Sequence, residues 1–347
     1  MGRLEGNSRT EPLLKIDRLT TSFRIGDHYY PAVDNVSLTV HNDEVLAIVG
    51  ESGCGKSALA LSLMRLHNRD KTKMDGHVFF QGQDVLTMNR HQLDKLRGKG
   101  MGMIFQDSLT ALNPLMTIER QIQESMDYHT NFKKHDKRRR TIELLHKVGI
   151  RQPEVVAKQY PHELSGGMRQ RVMIALAIAC DPELVIADEP TTALDVTIQA
   201  QIIDLLKTLQ QQMHSGIILI THDLGVVAEM ADRVAVMYAG EIVELANITT
   251  LFAHPLHPYT RSLLNSIPSM NDDRDRLHVI HGIVPSLQHL PHMGCRFAPR
   301  IPWIPKEAHE ENPQLREVEE DHLVRCTCYK HFAFPKVIRE GVINGAS

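Results

Sequence analysis

The chain has 347 residues, which at about 150 per domain suggests two domains. Apolar residues make up 42% and charged residues 23%, ordinary globular usage that excludes a disordered or fibrous chain. Lysine and arginine number 39 against 42 aspartates and glutamates, a net charge of −3, so the basic surface of a nucleic-acid binder is missing. Residues 1–12 mix charges of both signs without an apolar core, which argues against a secretory signal. Gly6 stands where a myristoylation motif needs Ser or Thr. The longest apolar stretches, such as Val45–Val49 and Ile217–Ile220, fall far short of the roughly 18 residues of a membrane span. Five cysteines, at 54, 180, 295, 326 and 328, show no disulfide framework, and a reduced, cytoplasmic chain is the expectation. The 20 histidines mostly sit singly in polar stretches and read as surface residues.

Leu13–Ile16 reads as the first strand, followed by a turn region holding Gly26 and Pro31. Val36–Val40 alternates apolar and polar, as a half-buried strand does. Val45–Val49 is continuously apolar, which suits a strand covered on both faces of a parallel sheet. A glycine-rich turn and a helix over Ser57–Arg65 follow at once, the opening of an α/β domain. From about residue 107 to 165 helical patterns dominate, with Ile142, Leu145 and Val148 on one face and Gly149 as a C-cap. The basic run Lys133, Lys134, Lys137, Arg138, Arg139 and Arg140 lies there; a solvated helix face is favoured over a phosphate or lipid contact. Strand patterns return at Leu184–Ala187 and Ile217–Ile220, so the helices read as an insertion into one α/β domain. Beyond about residue 250, proline, histidine and short segments mark a smaller appendage.

Gly50-Glu51-Ser52-Gly53-Cys54-Gly55-Lys56-Ser57 matches G-x-x-x-x-G-K-[ST] in full. Its glycines let successive backbone N–H groups turn inward at a helix N-terminus, making a concave anion site. Lys56 would reach β- and γ-phosphates and the Ser57 hydroxyl would ligate Mg²⁺. Placement after an apolar strand and before a helix argues against a chance match in an ordinary turn. Leu184–Ala187 ends in Asp188-Glu189, which delivers two carboxylates to the sheet edge beside that loop. Asp188 could hold Mg²⁺ through water, and Glu189 could orient or deprotonate an attacking water. Leu164-Ser165-Gly166-Gly167-Met168 opens another helix and is either a plain cap or a second anion site. A second anion site is useful if it faces a phosphate held by another molecule.

These motifs resemble those of the ATP-binding subunits of ABC transporters. To the loop, the signature at 164–168 and the Asp188–Glu189 pair are added Gln106 after Met103–Phe105, Ala193-Leu194-Asp195, and His222 after the strand 217–220. All six occur in the family's order over about residues 13–245. The resemblance implies an α/β fold: a P-loop NTPase (RecA-like) core with an antiparallel β subdomain, a helical ABC subdomain and a small C-terminal extension. It implies an ATPase domain over 13–250, with the helical part at about 107–165 docking onto a membrane-spanning partner, and an extension over 251–347. ATP and Mg²⁺ are the implied ligands. ATP would contact Gly50, Glu51, Ser52, Gly53, Cys54, Gly55, Lys56 and Ser57, and Ser165, Gly166 and Gly167 of a second ATPase subunit. Glu189 resembles the catalytic carboxylate, His222 the switch histidine at the γ-phosphate, and Gln106 the lid residue that touches Mg²⁺ alongside Ser57 and Asp188. Asp195 resembles the residue that crosses the dimer seam, and Phe23 is the best match to the adenine-stacking aromatic, with Tyr29 and Tyr30 competing.

Asp107–Pro114, Met168, His254–Thr260 and Gly294–Arg300 resemble the oligopeptide/dipeptide/nickel importer ATPases. Implied partners are a second, related ATPase chain, two membrane-spanning permease subunits and, indirectly, an extracytoplasmic solute-binding protein, with the chain peripheral at the cytoplasmic face of the membrane. Nickel or another small solute is an alternative cargo. A soluble ABC ATPase of translation or repair is the other class, but the paired ATPase domains, zinc modules or long coiled coils usual there do not show in the sequence. Many relatives carry four tail cysteines able to hold an iron–sulfur cluster. Here Cys295 and Cys326 remain, but Ile301 and Ala308 fill the intervening slots, so no cluster is expected. Cys328 and His309 could complete a zinc site with Cys295 and Cys326, and the sequence leaves open whether these residues bind any metal.

Overall fold

Every residue of Val45–Val49 is buried, and the sheet is built outward from that segment. The structure, a computed structural model, describes residues 11–192, 194–266, 282–291 and 293–334. Gly6, Ala193 of the Ala193-Leu194-Asp195 motif, and parts of the expected extension lie outside them. The chain opens with the hairpin β1 (Leu14–Ile25) and β2 (His28–Val40), then enters β3 (Val45–Val49). It returns through β4 (Thr72–Phe80) and β5 (Gln83–Asp84) to complete a four-stranded antiparallel sheet in the order β2-β1-β4-β5. Four further strands, β6 (Met101–Ile104), β7 (Leu184–Asp188), β8 (Gly216–Thr221) and β9 (Arg233–Tyr238), run parallel with β3. Then β10 (Glu241–Asn247), β11 (Leu315–Glu319) and β12 (His322–Arg325) add antiparallel, giving the order β11-β12-β10-β9-β3-β8-β7-β6.

The β1–β2 turn is Gly26-Asp27, with Gly26 in the left-handed conformation (φ 63°). Pro31, expected in that turn, instead lies within β2 opposite Ser22. Proline is tolerated there because β2 is an edge strand of its sheet and the register shifts beside it. The helices Ile118–His129, Lys134–Lys147 and Gly166–Ala177 bury Ile122, Met126, Leu144, Leu145 and Val172 in one cluster with β7 and β8 residues. Gly149 follows the second of these at φ 79°, the conformation that ends a helix without steric cost. On the basic run, Lys137 pairs with Asp127, Arg139 with Asp136 and Glu143, and Arg140 with Asp181 at 2.6 Å; Arg138 and Arg139 face solvent, whereas Lys137 and Arg140 are mostly covered against their carboxylates. No helix of the described residues is long and apolar enough to cross a membrane.

The tail shares a core with the sheet. Tyr259, Phe297, Ile301, Ile304 and Phe332 pack with Val49, Val234, Val236 and Tyr238. Its fastening is polar and fully enclosed. The Glu244 carboxylate on β10 accepts from the N–H groups of Leu256 (2.8 Å) and His257 (2.9 Å) and pairs with His322 Nε2 at 2.8 Å. Both side chains of that pair are wholly buried, so removing the carboxylate would orphan two N–H groups and an imidazole. Glu244→Ala should therefore cost about 3–5 kcal/mol in urea unfolding. A loss below about 1 kcal/mol would refute this role for the knot.

Candidate functional site

The phosphate-type loop sits between β3 and the helix Lys56–Leu63, where the sheet ends and helix N–H groups are unpaired. Gly50 and Gly55 are required by close approach, and Gly53, in open space, by its positive φ of 81°. A Cβ on Gly50 would lie 2.2 Å from the Met237 carbonyl oxygen, and one on Gly55 (φ 108°) 2.3 Å from that of Ala32. The Lys56 side chain is buried, and its ammonium donates to the Gly50 (2.7 Å) and Glu51 (2.9 Å) carbonyls, which holds it over the loop. Cys54 lies beneath the loop, where burial pushes its thiol up against the opposing pull of Lys56.

β7 delivers its two carboxylates as its pattern requires. Asp188 is buried and its Oδ1 accepts from the Ser57 hydroxyl at 3.1 Å. Burial pushes the Asp188 carboxyl above the usual carboxylate range, with the Ser57 bond opposing and the neighbouring Glu189 charge adding to the rise. A buried carboxylate beside a hydroxyl is a hard-oxygen pair suited to a small divalent cation. Glu189 follows in the left-handed conformation (φ 47°), a strain of about 1 kcal/mol for a residue with a Cβ. Three side chains converge on its carboxylate. Gln106 Nε2 donates at 3.0 Å, the Thr192 hydroxyl donates at 2.7 Å, and His222 Nδ1 lies 3.4 Å from Oε1. The Glu189 side chain is 13% exposed and that of His222 62%, so the histidine forms the open side.

A cavity of about 380 Å³ joins these parts, lined by Gly50, Glu51, Ser52, Gln106, Glu189 and His222 together with the apolar Val49, Leu224 and Leu263. Gly53, Cys54, Gly55, Lys56, Ser57 and Asp188, which adjoin those residues in the chain, are not among its lining residues, and neither are Ser165, Gly166, Gly167, Asp195 and Phe23. Ser165 caps the Gly166–Ala177 helix by accepting from the Met168 N–H at 3.3 Å. Asp195, exposed, caps the helix Val196–Met213 through the Ile198 N–H at 3.0 Å. The two caps adjoin, since a Cβ on Gly167 would meet Ile198 at 3.1 Å. Phe23 lies on β1 with its ring edge-on to His67 at 5.0 Å, and Tyr29 lies under the Lys73 ammonium.

Sequence reading missed the loop's tail contacts. The Glu51 N–H donates to the Tyr259 hydroxyl at 2.7 Å, and the Glu51 carboxylate receives Arg300 at 2.6 and 3.2 Å. Arg296 binds the Ala239 carbonyl at 2.6 Å and pairs with Asp34 beside the loop. Residues some 200 to 260 positions apart meet here, and only the resemblance of the 294–300 segment hinted that it matters.

Among comparisons with known proteins, the ABC transporter family profile matches residues 33–192 and that of the oligopeptide/dipeptide transporter C-terminal region matches 243–303. The oligopeptide transport ATP-binding protein OppD of Lactococcus lactis subsp. cremoris is 49% identical over 327 residues, 94% of this chain and 97% of its own. The oligopeptide transport ATP-binding protein AppD of Bacillus subtilis is 49% identical over 319 residues, 92% and 97% of the two chains. Among solved structures, the ATP-binding cassette MJ0796, a dimer in a post-hydrolysis state bound to ADP and Pi, superposes with a TM-score of 0.61 at 28% identity. That match covers 68% of this chain and 98% of the other.

The loop geometry sets a stability test. Gly55→Ala should cost more than about 2 kcal/mol in urea unfolding, because both its φ and the Ala32 carbonyl exclude a Cβ. An unchanged midpoint would show that the loop is not held as described. Loop, paired carboxylates, cavity and relatives agree: the chain belongs to the ATP-binding family of ABC transporters, in its oligopeptide/dipeptide branch.

Proposed function

We propose that this chain is the ATP-hydrolysing subunit of a membrane importer for oligopeptides or dipeptides. The observation that carries the reading is one cavity lined by Gly50, Glu51, Ser52, Gln106, Glu189 and His222, with Lys56 bound to the Gly50 and Glu51 carbonyls behind it and the Ser57–Asp188 pair adjoining Glu189 in the chain. The relatives' names, oligopeptide transport ATP-binding proteins, support the cargo class.

Residues 13–250 form the ATPase unit on this reading, the helices of about 107–165 dock on two permease subunits, and 251–347 form the extension. Loop N–H groups and Lys56 bind the phosphate oxygens of ATP. Ser57, Asp188 and the side-chain carbonyl of Gln106 are hard oxygen donors that would hold Mg²⁺, which when bound neutralises charge on the β- and γ-phosphates. Glu189, positioned by Gln106 and Thr192, accepts the proton of the attacking water. His222, on the open side of Glu189, meets the γ-phosphate and stabilises its developing charge. Phe23 remains the best match for stacking on adenine. Ser165, Gly166, Gly167 and Asp195 serve the nucleotide of a companion, a related ATPase chain, because a helix tip with free N–H groups is an anion site only where an anion reaches it. The assembly places the chain peripherally on the cytoplasmic face of the membrane, with a solute-binding protein supplying cargo from outside.

Within the assembled transporter, Glu189→Gln should retain ATP within about twofold, lose at least about 100-fold in hydrolysis and accumulate the closed ATPase dimer. Lys56→Ala should weaken ATP binding by more than about tenfold. Hydrolysis at the parental rate by Glu189→Gln would refute the assignment.

A further inference from the structure

Four donor side chains from three separate segments of the tail meet at one point. Cys295, His309, Cys326 and Cys328 each offer a ligand atom, and all four atoms lie within 4.8 Å of one another. All three cysteines are buried, and their sulfurs are close enough to hydrogen-bond among themselves. His309 Nδ1 is buried and has no hydrogen-bond partner among the described residues. Backbone N–H groups of Glu310 and Cys328 lie near the Cys326 sulfur, and that of Phe297 near the Cys295 sulfur, placed to support thiolate ligands. A cavity lined by Cys295, His309, Glu310 and Glu311 opens beside the cluster and gives an ion a way in.

The four-iron cluster that the tail cysteines of many relatives are able to hold does not fit here. The slots for its second and third thiolates hold Ile301 and Ala308, both buried in the apolar core of the tail. A cubane also carries one thiolate outside each corner iron, which spreads the sulfurs to about 6 Å, wider than the cluster here. A single tetrahedral ion with metal–sulfur bonds of about 2.3 Å needs donors about 3.8 Å apart, a contraction of at most about 1 Å. Three thiols and an imidazole are a donor set for zinc, and with four protein ligands the site is closed and structural.

We propose that Cys295, His309, Cys326 and Cys328 form a mononuclear Cys₃His zinc site that pins the tail segment bracing the nucleotide loop. Cys295 immediately precedes Arg296, which grips Asp34, and lies just before the short turn Ala298–Arg300, whose Arg300 grips Glu51. Between Cys295 and His309 the chain has only two single-turn helices, Ala298–Arg300 and Lys306–Ala308, and such a segment gains its rigidity from a staple. Binding releases the thiol protons to solvent as the metal–sulfur bonds form.

The test uses the full chain purified without chelator, with metal content measured directly. One zinc per chain is expected, with iron and acid-labile sulfide at background. After zinc is removed by chelation, cobalt(II) should restore the d–d and sulfur-to-cobalt charge-transfer bands of a tetrahedral thiolate site, and the melting temperature should recover with it. Cys328→Ser and His309→Ala should each lose at least about tenfold in zinc affinity. His309→Cys should keep the metal with a shifted cobalt spectrum, and Cys180→Ser should change nothing. Four irons with sulfide would overturn the proposal. So would failure of the chelated protein to give tetrahedral cobalt bands, or zinc retained undiminished in both Cys328→Ser and His309→Ala.

Discussion

The constraint on which the site depends is that the backbone of Gly50–Ser57 must turn its N–H groups inward. Its glycines permit the shape and the surroundings enforce it. Met237 and Ala32 carbonyls press on Gly50 and Gly55 from one side. The Gly240 N–H donates to the Cys54 carbonyl at 2.8 Å, and the Asp34 N–H donates to the Gly240 carbonyl at 2.9 Å. The loop is thus cast against the β9–β10 turn, and Lys56 is left to close its mouth by binding the Gly50 and Glu51 carbonyls. Anion binding then requires only that the ammonium exchange carbonyl oxygens for phosphate oxygens, a substitution in which its burial need not change.

What could be read from the sequence was what is local in it. Val45–Val49, the glycine loop and Leu184–Asp188 lie in short windows whose pattern sets both element and chemistry, and the fold places them as that pattern demands. The placement of Asp188 beside the loop also followed, because parallel strands deliver their C-terminal ends to one edge; its hydrogen bond with Ser57 is seen only in the structure. Pro31 misled because a proline looks alike in a turn and in an edge strand, and only pairing order separates the two. The hold of Arg300 on Glu51 and the Glu244–His322 knot carry no local signal, since each joins residues brought together by the whole chain. Thr192 is an intermediate case. Three residues from Glu189, it was available to a reader, but a threonine after a turn has many uses.

The adjacency of the Ser165 and Asp195 caps has a physical consequence for assembly. Both helix starts spend their side-chain oxygens on their own N–H groups, yet each leaves further first-turn donors unpaired. Val196, beside Asp195, is 83% exposed. One chain therefore carries a lysine-bearing loop with its carboxylates, and elsewhere a donor-rich tip outside the cavity lining. On the proposed function, a companion ATPase chain related head to tail would satisfy both surfaces at once.

The tail gives this ATPase something a bare nucleotide-binding sheet lacks. Arg300 is a buried guanidinium whose carboxylate partner belongs to the loop itself, and truncating either leaves a desolvated charge. Such a pair stabilises only if both ends are held, because a long side chain anchored in a flexible segment loses in entropy what it gains in contact. One end is fixed by the loop's backbone. The other is fixed by Tyr238 and Phe297, whose rings lie near the guanidinium, and by the Cys295 end of the same short turn. Rigidity imposed at Cys295 is transmitted through five residues to Glu51. The four-donor cluster and the nucleotide loop are thus parts of one mechanical unit, and a change of ligand at either should register as a change of order at the other.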